Sequence, residues 1–235
     1  GPLLLADLGT VDRLGTTSLV LTQSQEGGEV HGFRFTVLSN TPVIEVRLRD
    51  RTANPRMVLR NDSQLARLPD TYGNSGGWTP TWADDKLIRV PTPTAGIYSV
   101  LVQAAGVSGK YTNATYTIDV SAQQPQPLAF DNGLATVTNQ PADGWRYFSI
   151  TVPTNALGWD LRLVNVASGD PRMVICRDLV PFNLSTRTAA GAVWTTPFLA
   201  TNWPKGYQLA PDKDWTGYAT SAAGTNETGR YFTAG

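Results

Sequence analysis

The sequence predicts an all-β fold: two tandem antiparallel β-sandwich domains of the jelly-roll or Ig-like kind. Three observations predict it. Turn formers are abundant, with 22 glycines and 16 prolines among 235 residues, while charged residues make up only 16%. That balance suits many short strands better than long solvated helices. Short runs alternate polar and apolar residues with period two, which sets one face of a strand on a core and the other in water. The third observation is that the chain repeats itself.

Asn54-Pro55-Arg56-Met57-Val58-Leu59 matches Asp170-Pro171-Arg172-Met173-Val174-Ile175, and Asp62 matches Asp178. The same offset of 116 residues carries Trp78 onto Trp194 and Thr79 onto Thr195. Upstream, with small gaps, Arg34-Phe35-Thr36-Val37 resembles Tyr147-Phe148-Ser149-Ile150, and Val46-Arg47-Leu48-Arg49 resembles Leu161-Arg162-Leu163-Val164. A repeat of about 115 residues is a domain length, too long for one turn of a solenoid. The reading is therefore a first module over residues 1–121, a proline-containing linker over 122–126 and a second module over 127–235. Met57 and Met173 are expected at equivalent core positions.

Strands are read at Arg34–Val37, Ile44–Arg49, Tyr98–Val102 and Thr115–Val120, and again at Trp159–Leu163. Gly27-Gly28, Asn40-Thr41-Pro42, Ala95-Gly96 and Ser168-Gly169-Asp170-Pro171 supply the turns between them. The second module has no visible match for the two closing strands of the first. Two readings stay open: the natural chain continues past Gly235, or a neighbouring molecule adds a strand to the uncovered edge. Leu3-Leu4-Leu5 is a candidate donor, and a head-to-tail exchange of that kind builds filaments.

Several function classes are disfavoured. Nineteen basic and nineteen acidic residues cancel without a charge block, so neither nucleic acid nor an anionic membrane surface is an expected partner. Cys176 and His31 are each alone of their type, which excludes disulfides within the chain and multi-histidine metal sites. Cys176 reads as a small, partly buried hydrophobe, and His31 as a strand-edge or turn residue. No apolar run approaches the roughly 20 residues of a membrane helix, so membrane insertion is not expected. Asp84-Asp85 and Asp212 with Asp214 lack calcium-loop spacing and read as solvated turns. No phosphate loop or nucleophile elbow occurs. No catalytic residue, metal site or cofactor is assigned.

Aromatic residues are the candidates for contact. Tyr72, Trp78 and Trp82 share one loop region; Trp194, Phe198, Trp203, Tyr207, Trp215 and Tyr218 crowd its counterpart. Exposed rings can stack on sugars or fill a partner's pocket. Trp78 and Trp194 recur at the repeat offset and are better read as rings roofing the sandwich ends. Trp203, Tyr207, Trp215 and Tyr218, with Tyr72 and Trp82, are the ligand-contact candidates. Asn61, Asn113, Asn183 and Asn226 open Asn-x-Ser/Thr triplets and are candidate glycosylation sites.

At three motifs the chain resembles the bacterial pre-peptidase C-terminal domains, secreted β-sandwich modules that often occur in tandem. These are the aromatic strand Trp145-Arg146-Tyr147-Phe148-Ser149-Ile150, the turn Gly169-Asp170-Pro171 entering Arg172-Met173-Val174, and Gly96-Ile97-Tyr98-Ser99-Val100-Leu101-Val102. In both copies Arg-Met-Val replaces the family's Asp-Leu-Tyr after the proline. The resemblance implies a non-catalytic module of a bacterial surface or secreted protein, extracellular or at the cell surface. As a spacer or assembly subunit, its partners would be copies of itself or the rest of a longer surface protein. The alternative is a carbohydrate- or protein-binding module, with a polysaccharide as ligand.

Overall fold

A computed structural model describes residues 5–61, 77–78, 86–105, 111–141, 144–156, 159–161, 163, 165–169, 171–176, 180, 206–210, 214–218 and 230–232. Every regular element among them is a β-strand. The fold is all-β, and the chain divides into two compact units, Gly1–Pro125 and Gln126–Gly235.

The described strands of unit 1 are β1 (Leu5–Thr10), β2 (Leu19–Gln25), β3 (Val30–Val37), β4 (Val43–Arg49), β5 (Arg56–Arg60), β6 (Gly77–Trp78), β7 (Lys86–Pro91), β8 (Gly96–Gln103) and β9 (Ala114–Gln123). They form two sheets, β1-β3-β8-β5-β6 and β2-β9-β4-β7. Period-two alternation builds the core between them. Phe33, Phe35 and Val37 of β3, Met57 and Leu59 of β5, and Tyr98, Val100 and Val102 of β8 come from one sheet. Ile44, Val46 and Leu48 of β4 and Tyr116, Ile118, Val120 and Ala122 of β9 come from the other. Phe35 stacks on Tyr98 with centroids 5.6 Å apart, and Phe33 meets Tyr116 edge-on at 6.5 Å. The Tyr98 hydroxyl donates to the Thr94 carbonyl at 3.0 Å, tying the turn before β8 to the core.

Unit 1 departs from the sequence reading in two places. First, β1 runs parallel to β3, with Leu5 opposite Gly32 and Asp7 opposite Arg34. The intervening strand, β2, belongs to the other sheet, so the chain crosses over and returns in its original direction. Second, both ends of the expected 122–126 linker lie in strands. Ala122 and Gln123 pair with Ile44 and Val43, and Gln126 already opens the next strand. Ala122 is 2% exposed because it continues the inward row of Tyr116, Ile118 and Val120.

Unit 2 contains β10 (Gln126–Leu128), β11 (Phe148–Ile150), β12 (Trp159–Asp160), β13 (Arg172–Cys176), β14 (Gly206–Ala210), β15 (Asp214–Tyr218) and β16 (Arg230–Phe232). β10 runs parallel to β11. β16 pairs with β12, while β15 lies between β13 and β14. Two described strands of unit 2, β15 and β16, lie in the C-terminal region where the sequence shows no match for the closing strands. β15 lies beside β13 as β8 lies beside β5, and β16 lies beside β12 as β9 lies beside β4. The strand escaped the sequence reading because its composition changes: Met57 faces Val102 across the ladder, whereas Met173 faces Gly217. Met57 is fully buried and Met173 only partly so.

One difference between the units bears on function. β3 is hydrogen-bonded on both sides, to β1 and β8. Among the described strands β11 pairs with β10 alone. Phe35 on β3 is 1% exposed; Phe148 on β11, its match in the repeat, is 39% exposed.

Candidate functional site

A turn tied by several hydrogen bonds joins β2 to β3. The Gln25 carboxamide donates to the Val102 carbonyl at 3.1 Å and to the Glu29 carbonyl at 3.3 Å, anchoring the turn's entry. The Glu29 N–H closes the turn on the Glu26 carbonyl at 3.0 Å. Gly28 sits at φ +85°, a left-handed conformation that glycine adopts without steric cost. Gly28 N–H donates to Ala104 and Ala104 N–H donates to Glu29, each at 3.0 Å, which locks the turn to the end of β8.

A second segment, Tyr111-Thr112-Asn113, lies against this turn. Asn113 Oδ1 accepts the Gly27 N–H at 2.9 Å. The Tyr111 ring rests on Gly28: a β-carbon there would come 3.0 Å from Cγ and Cδ1 of the ring. A β-carbon on Gly27 would come 2.9 Å from the Tyr111 carbonyl carbon. The two glycines are thus what allow the tyrosine to lie down on the turn. Tyr111 itself remains 69% exposed.

The turn also carries ionic chemistry. Glu29 Oε2 accepts the Glu26 N–H at 3.0 Å, and Glu29 Oε1 lies 3.1 Å from His31 Nε2. The Glu26 N–H, and after it His31, hold the Glu29 carboxyl below the usual carboxylate range. His31 is therefore a strand residue beside a turn, engaged with a carboxylate.

A buried cationic end lies elsewhere in unit 1. Lys86 stands opposite Leu48 on the inward row of β7 and is fully buried. Burial, and then the nearby Arg51 and Arg56 charges, push its amine down to about 8. Arg51 donates to the Ala53 carbonyl at 3.1 Å, and its Nη1 is 3.5 Å from Asn54 Oδ1. An amine with no exposed surface reaches no solute, so this cluster is part of the core rather than a site.

The sequence candidates fall as follows. Tyr72, Trp82, Trp203, Asn183 and Asn226, with Asp84, Asp85 and Asp212, lie outside the described residues. Tyr207 is on β14, and Trp215 and Tyr218 are on β15. Position 207 is opposite 216, position 218 is opposite Arg172, and position 215 is opposite Ile175 and Gln208. Alternate positions belong to opposite faces, so 207 and 218 share one face of this sheet and 215 belongs to the other. Position 215 falls on the face of Met173. Asn61 hydrogen-bonds the Tyr98 hydroxyl, and Asn113 is the anchor described above. Among the described residues no group of three or more His, Cys, Asp or Glu side chains could hold a metal.

Tyr111 was not a sequence candidate. Its partner glycines are 83 and 84 positions away, and only the pairing of β2 with β9, Gln25 opposite Ala114, brings them together. A lone tyrosine beside a sequon gives no signal by itself.

No family model matches the chain, and no curated protein matches it. Among solved structures it is similar to the pre-peptidase C-terminal domain of a collagenase from Bacillus anthracis, with 17% identity and a TM-score of 0.36 over 52% of this chain and 98% of that one. It is also similar to PliG of Aeromonas hydrophila, a periplasmic inhibitor of g-type lysozyme, with 13% identity and a TM-score of 0.35 over 51% of this chain and 97% of that one. The class defined by the strands and their packing is the all-β sandwich.

Proposed function

We propose that the chain is a non-catalytic structural module of a bacterial surface or secreted protein, built from two copies of one sandwich, whose second copy joins subunits by strand exchange. Several pairings support the duplication. Each unit sets its first strand parallel to the strand carrying the matched phenylalanine, β1 on β3 and β10 on β11. Each also pairs the Arg-Met-Val strand antiparallel to a later one, β5 on β8 and β13 on β15.

The observation that carries the assembly reading is the contrast between Phe35, 1% exposed, and Phe148, 39% exposed. β8 covers the matched strand in unit 1, and no described strand does so for β11. An open edge offers a row of backbone donors and acceptors, and an added strand satisfies them while covering apolar surface. Size-exclusion chromatography with light scattering tests this. The expected result is concentration-dependent association that Phe148→Asp abolishes. A wild-type protein that stays at 25.4 kDa at high concentration overturns it.

A second reading, a binding module, is favoured by one observation: the exposed Tyr111 ring on its glycine turn.

A further inference from the structure

We propose that Tyr111, seated on the Gly27-Gly28 turn and flanked by Glu26 and Glu29, is a platform that binds one pyranose ring of a neutral polysaccharide. The inference deepens the second reading above and does not depend on subunit association.

Pre-organisation is the first argument. Tyr111 is 69% exposed, yet it is held. Its ring is backed by Gly28, and its segment is stapled to Gly27 through Asn113 at 2.9 Å. The turn beneath is fixed in turn by Gln25, Ala104 and Glu29. A rigid aromatic ring with two side-chain torsions loses little conformational entropy on contact, which is why tyrosine recurs on binding surfaces.

The rim chemistry selects the ligand class. A pyranose offers an apolar C–H face to stack on the ring and a belt of hydroxyls around it. The Gly27-Gly28 turn is bounded in sequence by Glu26 and Glu29, whose carboxylates are acceptors of the kind those hydroxyls need. Glu29 Oε1 and Oε2 each already have one partner, His31 and the Glu26 N–H, and those partners fix the carboxylate's orientation. A carboxylate oxygen has two lone pairs, so each can still accept a hydroxyl. Hydrogen bonds to a charged acceptor are the stronger kind. An acidic polysaccharide would meet these carboxylates as like charges, so the site selects neutral chains.

The test uses the whole chain in native affinity electrophoresis through gels containing xylan, laminarin or hydroxyethylcellulose, with calorimetric titration of N-acetylchitohexaose. At least one probe should retard or bind the wild type, unaffected by moderate salt. Tyr111→Ala should weaken binding about tenfold or more, since ring stacking and its buried area together contribute roughly 1.5 kcal/mol or more. Tyr111→Trp should keep or tighten it. The melting temperature of Tyr111→Ala should match wild type, because the ring is exposed. Failure of all four probes, full binding by Tyr111→Ala, or binding that moderate salt abolishes overturns the proposal. None of those outcomes bears on association through β11.

Discussion

Lys86 makes the stability of unit 1 depend on alkaline pH in a direction that can be derived. The amine is fully buried opposite Leu48, and burial together with Arg51 and Arg56 holds it at about 8, against an ordinary 10.5. Between those values the unfolded chain binds a proton that the folded protein does not, so stability rises with pH across that window. Below it both states are protonated and the destabilisation by the buried charge is fully present. At about 1.4 kcal/mol per tenfold change in proton affinity, the rise is on the order of 2–3 kcal/mol. Above pH 10 the sign reverses. Burial raises the Tyr98 and Tyr116 phenols, so the unfolded chain loses their protons first. Stability should therefore peak near pH 10. Guanidinium unfolding across pH 7.5 to 11 measures it, with the unit 1 transition recognised by its shift in Val46→Ala. Lys86→Met should flatten the rise, as should Lys86→Arg, which does not titrate there. A flat or falling profile between pH 8 and 10 in the wild type, or an unchanged rise in both variants, refutes the reasoning.

Other outcomes follow from the same core. Met57→Ala should cost about 2–5 kcal/mol in denaturant unfolding, because Met57 is fully enclosed, while Met57→Leu should cost less than about 1.5 kcal/mol. Tyr98→Phe should lose about 1–2 kcal/mol in denaturant unfolding, the net worth of its hydroxyl's bonds to the Thr94 carbonyl and Asn61. Tyr116→Phe should be neutral or stabilising within about 1 kcal/mol, since the buried hydroxyl finds no hydrogen-bond partner among the described residues. A larger loss measured calorimetrically would show that the Tyr116 hydroxyl is satisfied.

The fold was legible wherever a strand has one wet face. The alternation of Arg34–Val37 and Ile44–Arg49 marked β3 and β4, and the inward residues named by period two, Phe35, Ile44, Val46 and Leu48, are the core. β7 was harder, because its inward row runs Lys86, Ile88, Val90 and a buried lysine breaks the apolar pattern. β15 was harder for a related reason: Gly217 stands where β8 has Val102, so no branched-residue pattern announces the strand. The parallel pairing of β1 was not readable at all, since alternation fixes which face a residue takes and not which strand lies beside it. The Tyr111 turn was hidden from the sequence for the same cause. Aromatic density pointed to Tyr72, Trp82 and Trp203, whereas the platform around Tyr111 is assembled by contacts across more than 80 residues of sequence.

The two proposed activities make a separable pair, and their separation is itself testable. Phe148 lies on β11 in unit 2 and Tyr111 at the β2–β3 turn in unit 1; the two features share no residue. Phe148→Asp should therefore leave affinity for a single short oligosaccharide unchanged, and Tyr111→Ala should leave association unchanged. Retardation on a polymer gel is a different quantity. Associated subunits present several platforms to one chain, and linked contacts raise apparent binding without any new contact. Phe148→Asp should accordingly reduce retardation by an immobilised polysaccharide while sparing the calorimetric affinity for N-acetylchitohexaose. If the two readouts fall together in Phe148→Asp, β11 and the Tyr111 platform are coupled, and the assignment of one function to each unit is wrong.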